Sequence, residues 1–75
     1  MKLRPIQANM TELTLANGNT LLFSYKTPVA AHYTNGSGFV RTSKKWSATT
    51  TRHINKWLEG RKATEVPQEI LDGLV

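Results

Sequence analysis

Two Asn-Gly dipeptides, at residues 17–18 and 35–36, restrict the fold of this chain more than any other feature. Asparagine and glycine tolerate the positive φ angles that a tight hairpin turn requires, so each dipeptide predicts a reversal of the chain between two strands. Residues 10–15, before the first turn, alternate between polar and apolar side chains, which is typical of a half-buried strand. The first half of the chain is therefore predicted to be an antiparallel sheet.

The sheet is predicted to contain four short strands. Pro28 interrupts the pattern between the second and third strands, and because proline cannot donate to a strand ladder, a bend or bulge is expected there. Tyr33 and Phe39 flank the second turn, and they are predicted to form an aromatic pair across the hairpin. The four strands, at residues 10–15, 20–26, 29–33 and 39–43, form an antiparallel meander over residues 10–43, after a lead-in at residues 1–9.

The hydrophobic period changes to that of a helix after residue 46. Ser47 is a suitable N-cap, and Gly60 favours the left-handed conformation that ends a helix. A helix is predicted over residues 47–60, lying across one face of the sheet and burying Ile54, Trp57 and Leu58. A polar link at residues 61–65 follows, and Pro67 indicates the first turn of a short C-terminal helix at residues 66–74. The predicted fold is a single α+β domain over residues 1–75, with the element order ββββαα.

Composition narrows the class of protein further. The chain has 75 residues and no cysteine, so neither a disulfide nor a zinc–thiolate site can stabilise its small core. Its apolar runs are only a few residues long, which predicts neither a membrane span nor a secretory signal, and a cytoplasmic location is expected. A core of this size without cross-links is consistent with a monomer or a homodimer.

Positive charge is concentrated in one segment. Residues 41–62 contain seven of the ten basic residues and one acid, a net charge of +6, whereas three basic and four acidic residues elsewhere sum to −1. Such a local cationic surface favours an anionic partner, although a charge run is more commonly a solvated face. The candidate binding residues are these cations together with the adjacent tryptophan: Arg41, Lys44, Lys45, Trp46, Arg52, Lys56, Arg61 and Lys62.

The remaining polar residues favour binding over catalysis. His32 and His53 have no cysteine and few acids near them in sequence, which makes a metal site a weak hypothesis, and His53 is predicted to face solvent on the polar side of the helix. The threonines at 49–51 are better explained as helix-capping residues than as nucleophiles. No catalytic, cofactor-binding or metal-binding residues are predicted. Trp46 is expected to cover the edge of the core, with an exposed stacking surface as the alternative.

Three segments together resemble a family of short, uncharacterised proteins of tailed bacteriophages. These are S-Y-K-T-P-V-A-A at 24–31, K-K-W-S at 44–47 and T-T-R-H-I-N-K-W-L at 50–58, and the likeness covers roughly residues 10–58. The resemblance implies a phage source and a host bacterial cytoplasm, and it implies no catalytic residue. The cationic segment makes nucleic-acid binding the leading hypothesis. The alternatives are an inhibitor or adaptor that binds an acidic surface of a host protein, and a small accessory or structural phage component.

Overall fold

A computed structural model describes residues 2–7, 9–34, 36 and 38–74. Of the second predicted turn, Asn35 and Ser37 lie outside the described residues. The chain forms an α+β fold with one six-stranded mixed sheet and two helices. The elements are β1 (Lys2–Gln7), β2 (Met10–Thr14), β3 (Thr20–Ser24), β4 (Thr27–Tyr33), β5 (Gly38–Thr42), α1 (Ala48–Leu58), β6 (Ala63–Val66) and α2 (Gln68–Asp72).

The four predicted strands correspond to β2, β3, β4 and β5, and they pair as the expected antiparallel meander. The prediction of a four-stranded sheet was nevertheless wrong, because a strand is added at each edge. β1 occupies most of the predicted lead-in and pairs antiparallel with β2. β6 occupies most of the predicted polar link and pairs parallel with β5. Parallel neighbours require a crossover connection, and α1 provides it.

The hairpin between β3 and β4 also differs from the prediction. The second strand ends at Ser24 rather than Lys26, because Tyr25 adopts a positive φ of 60° and begins a tight turn. The predicted irregularity near Pro28 is confirmed as a register shift between Leu22 and Phe23, opposite the segment from Pro28 to Ala30. This shift turns the neighbouring residues Val29 and Ala30 toward the same cluster beneath α1.

Each face of the sheet carries one helix. On the face that we call the α1 face, Ile54 and Leu58 of α1 pack against buried strand residues, including Met10 and Leu22, as predicted for this helix. Trp57 packs against the same cluster but stays partly exposed. On the opposite face, Leu71 of α2 is fully buried against strand residues of a second cluster, which comprises Leu21, Ala31, Val40 and Leu71. The two helices therefore cover separate halves of the core.

Candidate functional site

Helix α1 is capped at both ends, and its bounds determine which residues share its exposed side. The predicted N-cap is confirmed, since the Ser47 side chain accepts a hydrogen bond from the Thr50 amide at 3.3 Å. The helix ends at Leu58, earlier than predicted, because Glu59 adopts a left-handed φ of 52°. With these ends, Arg52 and Lys56 lie one turn apart on the exposed side of α1.

All seven predicted basic residues lie on the crossover from β5 through α1 to β6. Arg41 is a half-buried residue of β5, and its Nη1 donates to Oδ1 of Asn55 in α1 at 3.4 Å. Lys44 and Lys45 are exposed in the segment before the helix, and Arg61 and Lys62 are exposed in the segment after it. We call this set the α1 basic surface: Arg41, Lys44, Lys45, Arg52, Lys56, Arg61 and Lys62.

Few acids lie among these cations: Glu59 follows α1, and Glu65 lies in β6, opposite Arg41 in the strand pairing. An ion pair outside the α1 basic surface joins Arg4 Nη2 to Glu12 Oε2 at 2.9 Å. Helix α2, on the opposite face, carries Glu69 and Asp72, while α1 carries no acid. The two helices therefore have opposite charge, and the α1 face is the cationic one.

A first cleft opens where β5 and β6 meet the first turns of α1. Its volume is about 320 Å³, and Arg41, Lys44 and Lys45 line it together with Glu65 of β6. Trp46 also lines this cleft and packs against the core cluster, as predicted for a residue that covers the core edge. The Trp46 indole is held by a hydrogen bond from Nε1 to Gln68 Oε1 at 3.2 Å, and Lys44 Nζ lies 4.3 Å from the ring centroid. This cation–π contact places a lysine at the mouth of the cleft.

A second cleft lies at the other end of α1, and no pattern in the sequence predicted it. Its volume is about 440 Å³. The predicted pairing of Tyr33 with Phe39 was wrong, because the register places His32 opposite Phe39 and turns Tyr33 toward the other face. The His32 and Phe39 rings stack with their centroids 4.3 Å apart, and Trp57 meets Phe39 edge-on at 5.7 Å. The lining residues are Arg4, Glu12, Thr20, His32, Phe39, Trp57, Glu59 and Arg61.

The prediction that His53 faces solvent was also wrong. His53 is 4% exposed, and its Nδ1 lies 2.8 Å from the Ser24 hydroxyl, which is itself 3.1 Å from the Thr50 hydroxyl. A hydrogen-bonded serine and histidine can form a nucleophile and base, but this pair is buried between α1 and β3 and lines neither cleft. Its geometry fits a polar connection that fixes the helix on the sheet.

Two further properties of residues 2–7, 9–34, 36 and 38–74 concern metal ions and membranes. No group of three or more histidine, cysteine, aspartate or glutamate side chains in this part of the chain is arranged to hold a metal ion. Neither α1 nor α2 has the length and apolar character that a helix needs to cross a bilayer.

The fold and the two clefts define a small α+β protein with a cationic helical face. Residues 1–73 match the model of a family of unknown function, DUF8033, and the chain belongs to that family. No curated protein and no solved structure is significantly similar to the chain.

Proposed function

We propose that this protein binds nucleic acid through the α1 basic surface. The observation that carries the proposal is the excess of positive charge on one face, with seven cations against the two acids Glu59 and Glu65 on the crossover from β5 to β6, while α2 on the other face carries two acids and no cation. Phosphate backbones bind such an array because each phosphate contact releases condensed counterions, and the released ions supply much of the affinity.

Unneutralised cations are required for this mechanism. The guanidinium of Arg61 donates to the Leu58 carbonyl at 3.3 Å, a contact that positions the side chain without cancelling its charge. No described acid forms an ion pair with Arg41, Lys44, Lys45, Arg52, Arg61 or Lys62. These six side chains therefore have no ion pair that must be broken before they bind phosphate oxygens.

The arrangement of the cations fits an extended polyanion better than a single phosphate. The 11 residues of α1 span about 16 Å, and basic residues precede the helix, lie along it and follow it. At about 3.4 Å per stacked nucleotide, this length corresponds to roughly five nucleotides of one strand. Backbone contacts of this kind position a nucleic acid without selecting its sequence.

The biological setting that we propose follows from the phage-protein resemblance of residues 10–58, and it is the cytoplasm of an infected bacterium. An acidic host protein is the competing partner, since the same cations would attract carboxylates. A complex from host lysate that survives nuclease treatment, with no binding of purified oligonucleotides, would replace nucleic acid with a protein as the partner.

The direct test is fluorescence anisotropy with labelled single-stranded DNA, duplex DNA and RNA at low salt. Arg52→Gln should weaken binding about three- to tenfold, because it removes a phosphate contact worth roughly 1 kcal/mol. Ile70→Glu is the matched control. It lowers the net charge by the same one unit, but at a 48% exposed position on α2.

If the proposal is correct, Ile70→Glu leaves affinity within about twofold of the wild-type value, because its charge is on the opposite face. Equal weakening by the two variants would show that net charge matters and that the α1 basic surface does not. Undetectable binding of every oligonucleotide by the wild-type protein at low salt would overturn the proposal.

A further inference from the structure

The second cleft, at the end of α1, exists because the helix stops before it covers the whole α1 face. A row of residues crosses the sheet there, with Thr20 paired to His32, His32 to Phe39 and Phe39 to Ala63. Thr20 is small, so the side of His32 that is turned away from Phe39 has no large neighbour in this row. This leaves the second cleft open beside the His32 ring, and from here on we call this cleft the α1-end groove.

The aromatic wall of the groove is rigidly supported. Phe39 is in contact with His32 on one side and with the edge of Trp57 on another. The Trp57 indole is fixed in turn, since its Nε1 donates to Glu12 Oε1 at 2.9 Å. A stacking surface that is held in place before binding loses little conformational entropy when a planar ligand arrives.

The polar wall is electrostatically balanced. Its charged residues are two acids, Glu12 and Glu59, and two arginines, Arg4 and Arg61. The second carboxylate oxygen of Glu12 accepts from Arg4 Nε at 3.1 Å and pairs with Arg4 Nη2 at 2.9 Å. The acids and arginines of the lining are therefore equal in number, and the groove is suited to a neutral planar group with polar edges. A nucleobase has this chemistry, with a π face to stack and donors and acceptors on its edge.

The α1 basic surface extends to the rim of this groove. Arg61 lines the groove, with its Cζ 5.5 Å from the Phe39 ring centroid, and Lys62 follows it in the chain. A strand whose phosphates lie along α1 would therefore reach the groove with a phosphate near Arg61. Because a phosphate at Arg61 would bring its own nucleotide to the groove, the occupant that fits best is a base on that strand.

We infer that the α1-end groove receives one unpaired nucleobase, which stacks on His32, from a single strand whose phosphates lie on the α1 basic surface. The inference rests on the proposed function and makes it more specific. Bases in a duplex are stacked and paired inside the helix, so a slot that accepts a base favours single-stranded nucleic acid.

The test compares two labelled strands about 12 nucleotides long, one of thymidines and one of abasic nucleotides with the same phosphates. Wild-type protein should bind the thymidine strand at least about fivefold more tightly, since stacking of one base contributes about 1–3 kcal/mol. His32→Ala should lower affinity for the thymidine strand to nearly that for the abasic strand, and it should leave abasic binding unchanged. Tyr25→Ala is the matched control, because Tyr25 is an aromatic residue, 53% exposed, that does not line the groove.

A second variant keeps the test independent of the contact between His32 and Phe39. Thr20→Trp fills the groove from the strand beside His32 and should reproduce the loss of preference for thymidine, with thermal melting confirming that the variant is folded. If the wild-type protein binds the thymidine strand and the abasic strand with equal affinity, the inference of a base site is overturned while the proposed function stands. Thymidine preference that persists in both groove variants also overturns it. Binding of neither strand at low salt overturns the proposed function itself.

Discussion

At the scale of single residues, the buried contact between His53 and Ser24 is the most consequential feature that our sequence analysis missed. We placed His53 on the polar face because histidine is polar, yet it lies three residues after Thr50 and four before Trp57, on the stripe that packs against the sheet. Helical spacing therefore contained the signal for its burial. Its partner could not be predicted, because Ser24 is 29 residues away and the contact depends on how α1 registers against β3.

Ser24→Ala should lower the free energy of unfolding by about 1–3 kcal/mol, because it removes a partner from two buried polar groups, the His53 imidazole and the Thr50 hydroxyl. Urea denaturation monitored by tryptophan fluorescence measures this change. Ser43→Ala is the matched control at an exposed serine, and it should change stability by less than about 0.5 kcal/mol. A Ser24 variant as stable as the Ser43 variant would show that the buried network does not hold the helix in place.

At the scale of elements, local signals predicted the central strands and α1, while both edge strands were missed. β1 contains Pro5, which weakens a strand prediction and is tolerated there because one side of an edge strand has no partner. β6 has the sequence A-T-E-V, which is short and lacks alternation, and it forms through parallel pairing with a strand on the far side of α1. Nothing in the four residues themselves encodes that non-local pairing.

Dependence on non-local strand pairing also explains why the second cleft was not predicted. Its lining comes from β1, β2, β3, β4 and β5 and from the end of α1, so it depends on a register across five strands. A one-residue slip of β5 would turn Phe39 away from His32 and toward the other face. By contrast, the α1 basic surface comes from one continuous segment, and this is why charge counting along the sequence located it.

The N-cap of α1 supports a prediction at this scale. Ser47→Ala should destabilise the protein by about 1 kcal/mol, because the Thr50 amide loses its acceptor. Ser47→Asn should retain nearly wild-type stability, since asparagine caps a helix about as well as serine. Thermal unfolding followed by circular dichroism checks both values. If alanine and asparagine were equally destabilising, the observed cap would contribute nothing to the helix.

At the scale of the whole molecule, the division of charge between the two helical faces underlies the proposed function. α1 and its flanking segments supply seven cations against the two acids Glu59 and Glu65, α2 supplies Glu69 and Asp72, and the sheet separates the two helices. A protein with this asymmetry should approach a polyanion in a preferred orientation, with α2 directed away from it.

The most direct measurement of the central claim is the salt dependence of binding to a single strand. For single strands, the slope of log K against log salt concentration is about −0.7 for each phosphate neutralised. Lys45→Gln combined with Arg52→Gln should therefore make the wild-type slope shallower by about 1.4, while Ile70→Glu should leave it unchanged. A wild-type slope near zero, or a slope that the double variant does not alter, would contradict the claim that these cations bind phosphates.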